Sequence, residues 1–445
     1  MRLILLLCIC CIACNSQPVS ETNNNTDSVS VNKRVDSVSI NGKQRHLADT
    51  INTAHLPVSL KRVTIGLSNR DSFTLQIPEK YEISIAAEGL KRLRFLSMSP
   101  DGRLFATDMY DRSDNHKGRV LVFENWNDSA KKFYKQSTFL DGLHNPNQVA
   151  FYQGYIYVAE TGKINRYVYT PGMQKPADSG QVIVKLPDYG LGYKYGGWHL
   201  TRSITFHNDK LYVSIGSSCN ACVEKEEIRA GILEMDPDGK NVIHFARGLR
   251  NSVAIKWIGD QLWATGMGRD LIGPDKPEDL FQVIEKNGYY GWPYYYQYKQ
   301  RIYEDEQFKD SSRPAWVTKP PVAFVGFKAH SAPLGFEYFK GFDDPLLQNS
   351  VLVCLHGSTS VWRQRGNAIV RVERDNTYTE VVTGFLTGKT ASGRHGRPCD
   401  ILMKDDHSFF FTDDLHGVLY LCGSKYFYAY KFEQMPLKRL LILSD

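Results

Sequence analysis

Four stretches of this chain collect side chains that can do chemistry. Gly197-Trp198-His199-Leu200-Thr201-Arg202 sets an imidazole beside a large aromatic just before a strand pattern. An imidazole titrates near pH ~6.5 when unperturbed, so His199 suits removal of a proton from an alcohol; a lone loop histidine is also commonly structural. Gly248-Leu249-Arg250-Asn251 and Gly393-Arg394-His395-Gly396-Arg397-Pro398 both directly precede strand patterns. Planar, permanently charged forks placed there can converge on an anionic ligand and grip carboxylates bidentately, with surface ion pairing as the bland alternative. Gly266-Met267-Gly268-Arg269-Asp270, followed by Gly273-Pro274-Asp275 and Glu278-Asp279, offers close-approach glycines and several oxygen donors. A hard cation such as calcium fits that chemistry, although the spacing is not that of an EF-hand loop and an acidic surface turn would look similar.

Ser217-Ser218-Cys219-Asn220-Ala221-Cys222 holds a CxxC pair. A structural zinc site wants a second such pair, and covalent haem attachment wants a histidine where Val223 stands, so a local disulfide stapling the loop is expected.

The elements that must carry these groups repeat. An apolar strand, a polar turn and a second strand of alternating apolar and small residues recur from Leu96 to Asp108, Gln148 to Glu160, Ser203 to Gly216, Ser252 to Gly268, Gly335 to Gly357 and Asp400 to Asp414. The spacing, roughly 50 residues or more, is that of one four-stranded blade. Helical spacing is nearly absent, the exception being a short candidate around Glu224 to Leu233. The fold class expected is therefore all-β, a six-bladed β-propeller. A β-sandwich needs only about seven strands in roughly 100 residues, and this chain has room for many more. In a propeller, loops at one end meet over the central channel, so the connections near Lys194 to Thr201, Gly268 to Trp292 and Gly388 to Pro398 are where the chemistry is sought.

The chain has 445 residues, 42% hydrophobic and 12% aromatic, enough for a large core. Its net charge of +6 comes from nearly balanced acidic and basic residues with no basic run, so no nucleic-acid partner is expected. Residues 1–13 have the basic start and short apolar core of an export signal, too short to span a bilayer. They end at a lipobox-like Cys11-Ile12-Ala13-Cys14, with Cys11 standing where leucine is usual. Cys14 is the candidate lipid anchor at the cell envelope and the only expected contact with a membrane; cleavage and release is the alternative. Residues 14–55 read as a polar tether, 56–424 as the propeller, and 425–445 as a tail of unassigned role.

Taken together, Trp198-His199, Gly216 to Cys222, Gly248 to Asn251, Gly268-Arg269-Asp270 and Tyr290-Gly291-Trp292-Pro293 resemble the glucose/sorbosone dehydrogenase family that depends on pyrroloquinoline quinone (PQQ). His330 to Gly335, His356-Gly357-Ser358 and Gly396-Arg397-Pro398 extend the match, in order, from about Leu93 to Leu421, and the sorbosone and pyranose branch is the nearer one. The resemblance implies a sugar substrate, PQQ and Ca2+ as cofactors, and His199 as general base. It implies PQQ contacts from Arg250, Asn251 and Arg397, with Arg94 and Arg363 as further candidates, and calcium held by the carbonyls of Gly268 and Arg269 beside Asp270. The electron acceptor is not implied.

Two positions depart from soluble glucose dehydrogenase. Ser217 stands where an aspartate orients the base, and Cys399 where a second arginine falls. Glu224, Glu226 or Glu227 can supply the carboxylate if the CxxC loop folds back, and Arg394 can supply the guanidinium. A non-catalytic propeller that binds glycan or protein, and a calcium-dependent lactone hydrolase, are the competing readings.

Overall fold

A computed structural model describes residues 56–188, 199–358 and 364–424. Residues 1–55, where an export leader, an anchoring Cys14 and a tether are expected, lie outside the described residues, as do Trp198, Arg363 and residues 425–445. Six four-stranded antiparallel sheets follow one another along the chain. The six repeats form the first two strands of the six sheets, from Leu93–Met98 with Leu104–Asp108 in blade 1 to Pro398–Met403 with Ser408–Asp413 in blade 6. Glu224 to Leu233 is not helical: turns lead into the strand Gly231–Met235 of blade 3. Its apolar residues feed a blade core, which overrides a short helical spacing.

Blade packing explains why these strands read as continuous apolar runs. In Ser408–Asp413, Phe409 and Phe411 enter the core shared with blade 5, while Phe410 enters the core shared with blade 1. In Val351–Leu355, Val353 and Leu355 face one neighbour and Leu352 and Cys354 the other. A strand with alternate residues buried in two different cores has no solvent face to mark with polar residues.

Successive blades touch around a closed ring through their inner strands, with blade 5 packing on the second strand of blade 4 and blade 6 against blade 1. Blade 6 takes its fourth strand, Tyr81–Ala87, from before blade 1 in sequence, and pairing it with Val418–Ser424 ties the start of the propeller to its last blade and closes the ring.

Side-chain latches tie one blade to the next at the same level. Thr107 donates to the Asn147 carbonyl at 2.7 Å, Thr161 to Leu200 at 2.7 Å, Thr265 to Leu334 at 2.9 Å and Thr412 to Arg94 at 2.8 Å. Each hydroxyl lies at or just past the end of a second strand and grips the backbone where the next blade begins. Those first-strand starts are the positions that carry the candidate groups.

The longest connection among the described residues runs between Asp279–Ile284 and Val325–Phe327 of blade 4. It holds the short strand Gly288–Tyr289, which extends blade 3, and the hairpin Tyr295–Tyr298 with Arg301–Glu304. The stretch Gly268 to Trp292 is thus not one loop, because it contains a blade strand.

Candidate functional site

Antiparallel pairing puts the start of each first strand beside the end of the second, so both kinds of residue open on the same end of the ring. There the described residues line a cavity of about 420 Å³, within the usual range for small-molecule sites. His199, Arg250, Asn251 and Gly268 stand on its wall with Asp270 and Arg397, as does Arg94. The ring brings together residues more than 300 positions apart in sequence. Arg269 is not on this wall: its guanidinium turns away to ion-pair with Asp305, at 2.8 Å from Nη2 to Oδ1, so only its main chain can serve a metal.

The wall also holds Arg92, Arg112, His330 and His356, to which the sequence motifs give no role, and Asp279, one of the oxygen donors of the acidic stretch after Gly268. Arg92 was within reach of such reasoning. It lies two residues before Arg94, and alternate residues at a strand start share a face. Both reach Asp414, at 2.6 Å and 2.7 Å, and His356 Nε2 meets the same carboxylate at 2.7 Å. Burial opposes the charge on Asp414, but His356 and the two guanidinium groups hold its carboxyl well below the usual range. Burial and the neighbouring Arg397 charge keep His356 neutral, so its Nε2–H donates.

The five guanidinium groups on the wall belong to Arg92, Arg94, Arg112, Arg250 and Arg397, against the carboxylates of Asp270 and Asp279. Asp279 is committed to the backbone, accepting from the amides of Gly268 and Ala332 at 2.8 Å each, and burial pushes its carboxyl up to about 6. Arg397 is 2% exposed and donates to the carbonyls of His356 and Gly357, at 3.1 and 2.6 Å. Burial lowers it to about 9. The Nε atoms of Arg92 and Arg94 are buried without a hydrogen-bond partner. Positive charge gathered in a cavity with donors to spare is built for an anion carrying several acceptors.

Arg394 does not fill the gap left by Cys399. Its Nε and Nη2 bond Gln364 Oε1 at 3.1 and 2.6 Å, off the wall. Cys399 is buried in the core of blades 4 and 5, and the extra positive charge comes instead from Arg92.

His199 sits where blade 3 begins, with φ at 50°, in the left-handed region that a histidine seldom adopts. Nδ1 lies 2.9 Å from the Ser217 carbonyl and 3.0 Å from its hydroxyl. A carbonyl can only accept, and the Ser217 hydroxyl donates onward to the Cys219 carbonyl at 2.7 Å. Nδ1 therefore carries the proton and Nε2 the lone pair. Burial, then the Arg250 charge, lowers His199 to about 3, so it is neutral across the physiological range. The three glutamates do not orient it. Glu224 folds back as far as Ser218, accepting from its amide and hydroxyl at 2.6 and 2.7 Å, and Glu226 pairs with Arg229 at 2.6 Å. Ser217 itself does the work of the missing carboxylate through its backbone.

Cys219 and Cys222 form the expected disulfide, while Cys354, Cys399 and Cys422 are buried free thiols. Of the other oxygen donors, Asp275 pairs with Arg365 and Glu278 bonds Gln297 and the Lys299 amide, so neither joins the cavity wall. Asp270 takes His330 Nδ1 at 3.2 Å and Arg250 Nη2 at 3.4 Å.

No family model and no curated protein matches the sequence. Solved structures do match. The calcium structure of a Trichoderma reesei carbohydrate-active enzyme of family AA12 superposes with a TM-score of 0.65 at 16% identity, covering 84% of this chain and 99% of that one. The holo form of the PQQ domain of Coprinopsis cinerea pyranose dehydrogenase gives 0.63 at 14%, covering 84% and 100%. PQQ-bound aldose sugar dehydrogenase from Streptomyces coelicolor gives 0.52 at 15%, covering 78% and 99%. The chain is thus similar in fold, over most of its length, to solved PQQ-dependent sugar dehydrogenases, as its motifs led one to expect.

Proposed function

We propose that this protein is a PQQ- and calcium-dependent sugar dehydrogenase. The observation that carries the reading is the convergence of five arginines, three from blade 1 and one each from the entries to blades 4 and 6, on one cavity that also holds a neutral histidine. PQQ is a tricarboxylate, and the residues fit it: two buried guanidinium Nε atoms lack acceptors, and the Arg397 guanidinium, among the described residues, bonds carbonyls and no carboxylate. Arg94, Arg250 and Arg397 would hold its carboxylates, with Asn251 beside them. Calcium would be held by the Gly268 carbonyl and Asp270. Gly268 already accepts from Arg250 at 3.0 Å but keeps a second lone pair, and the Arg269 carbonyl, the cofactor and water would complete the six to eight oxygens calcium takes. When bound, the pair would supply a two-electron oxidant and a Lewis acid.

The chain's own part is position and proton transfer. His199 Nε2 accepts the proton of the sugar hydroxyl while Ser217 holds Nδ1–H and fixes the ring. Gly216 makes room for this: a Cβ there would lie 2.5 Å from His199 Cβ and 2.8 Å from Asn251 Oδ1. Gly216→Ala should therefore push the base off line and lower kcat/KM by about tenfold or more in steady-state assays, with the fold retained.

Lactone hydrolysis would need metal ligands from several blades, yet the wall carboxylates among the described residues, Asp270 and Asp279, both come from blade 4. The test of the reading is turnover. Apoprotein given PQQ and Ca2+ should reduce an artificial acceptor with at least one sugar from a panel of aldoses and sorbosone. Cofactor binding without turnover on any of them would leave a binding propeller.

Sequence features also suggest export and lipid attachment at Cys14. Metabolic labelling with a fatty acid, lost in Cys14→Ser, is the measurement that decides it.

A further inference from the structure

Asn220, between the two bonded cysteines, has no role in the site as described so far, yet its hydrogen bonds reach two elements of the cavity wall. Its Oδ1 accepts from Arg250 Nη2 at 3.0 Å and from the Asp270 amide at 2.8 Å, and its Nδ2 donates to the Asp270 carbonyl at 3.0 Å. Its own carbonyl accepts from Arg250 Nε at 2.9 Å and from Trp292 Nε1 at 3.2 Å. The amide cannot be turned over, because its NH2 would then face two donors.

The loop is held to present this residue. The disulfide closes a four-residue ring around Asn220, Glu224 ties the ring back to Ser218, and Trp292 packs over Cys219 and Cys222. We propose that Asn220 is a positioning residue: the disulfide-closed loop uses it to set Arg250 and the Asp270 backbone against each other, fixing the anion-binding corner of the cavity. The proposal rests on the reading of that cavity as the PQQ site.

The choice of asparagine has a physical reason. Arg250 makes its shorter bonds to neutral oxygens, two from Asn220 and one from Gly268 at 3.0 Å, and its ion pair with the Asp270 carboxylate is longer, at 3.4 Å. A neutral amide orients a guanidinium without cancelling its charge, which stays available to a ligand carboxylate. A carboxylate at the same place would still accept from the guanidinium, but it would neutralise that charge and lose the bond that Nδ2 gives the Asp270 carbonyl.

The test compares Asn220→Ala, Asn220→Asp and the double variant Cys219→Ser with Cys222→Ser against wild type, with two readouts. The first is hydrogen exchange in the apoprotein, by mass spectrometry of the peptide spanning Asp270. The second is the affinity for PQQ in the presence of Ca2+. Asn220→Ala and the double cysteine variant should exchange about tenfold faster at that peptide and bind PQQ at least about tenfold more weakly. Asn220→Asp keeps the acceptors for Arg250 and the Asp270 amide but sets an oxygen in place of the Nδ2 donor against the Asp270 carbonyl, so it should exchange at a rate between wild type and Asn220→Ala and still lose the affinity. A merely structural asparagine would recover both together, so PQQ affinity restored in Asn220→Asp overturns the proposal. Unchanged exchange in Asn220→Ala overturns it also, and does so even if the wild type binds no PQQ, a result that would sink the cofactor reading on its own.

Discussion

His199→Ala should bind PQQ within about twofold of wild type and turn over roughly 100-fold more slowly or worse. The split follows from geometry. The imidazole is not among the groups that would grip the cofactor carboxylates, and its Nδ1–H is fixed on Ser217 at 2.9 Å, leaving Nε2 as the acceptor for a substrate proton. A companion measurement needs no substrate. Burial and the Arg250 charge lower His199 from its ordinary value to about 3. A histidine depressed on folding favours the state with fewer protons bound, so its contribution to stability is complete above pH ~6.5 and is lost as pH falls toward 3. Nuclear magnetic resonance of the apoprotein should find at least two histidines still neutral well below pH ~6, His199 and His356, and one of these signals should disappear in His199→Ala. Unchanged turnover in that variant would remove His199 from the mechanism.

Arg397→Met should weaken PQQ binding by roughly 30-fold or more while leaving the apoprotein as stable as wild type or more so. Arg397 is a buried cation that meets carbonyl groups and no carboxylate within ion-pairing distance among the described residues. Removing a charge that the empty protein bears at a cost relieves that protein, whereas the loaded protein loses the partner of an anionic group. A melting temperature lower by many degrees, with PQQ affinity unchanged, would mean that Arg397 is part of the scaffold and not of the ligand site.

The six strand pairs are legible in the sequence because each carries a turn such as Ser99-Pro100-Asp101-Gly102 between apolar runs, and local chemistry alone sets such a hairpin. The closing strand Tyr81–Ala87 carries no such signal. It pairs with Val418–Ser424 across more than 300 residues, and no local pattern encodes that distance. His199, Arg250 and Arg397 stand out in sequence because they sit in short motifs at strand starts, and the structure brings them to one wall. Arg92 carries no motif; it matters because blade 1 ends up facing Asp414 of blade 6. Ser217 looks like a lost carboxylate when only side-chain types are compared. The bond it makes to the His199 ring comes from its carbonyl, which every residue type has.

Arg363 and the tail beyond residue 424 are candidates for mutagenesis on sequence grounds alone. The placement of Arg94 differs: it lines the cavity with its Nη1 fixed by Asp414, so its substitution tests the proposed cofactor site directly.

The account stands or falls on whether the arginine-lined cavity takes up a tricarboxylate quinone. Isothermal titration of PQQ into the calcium-loaded protein should give saturable one-to-one binding that weakens as salt is raised and is largely lost in Arg397→Met. No heat of association at any salt concentration, from a protein that is folded by circular dichroism, would contradict it.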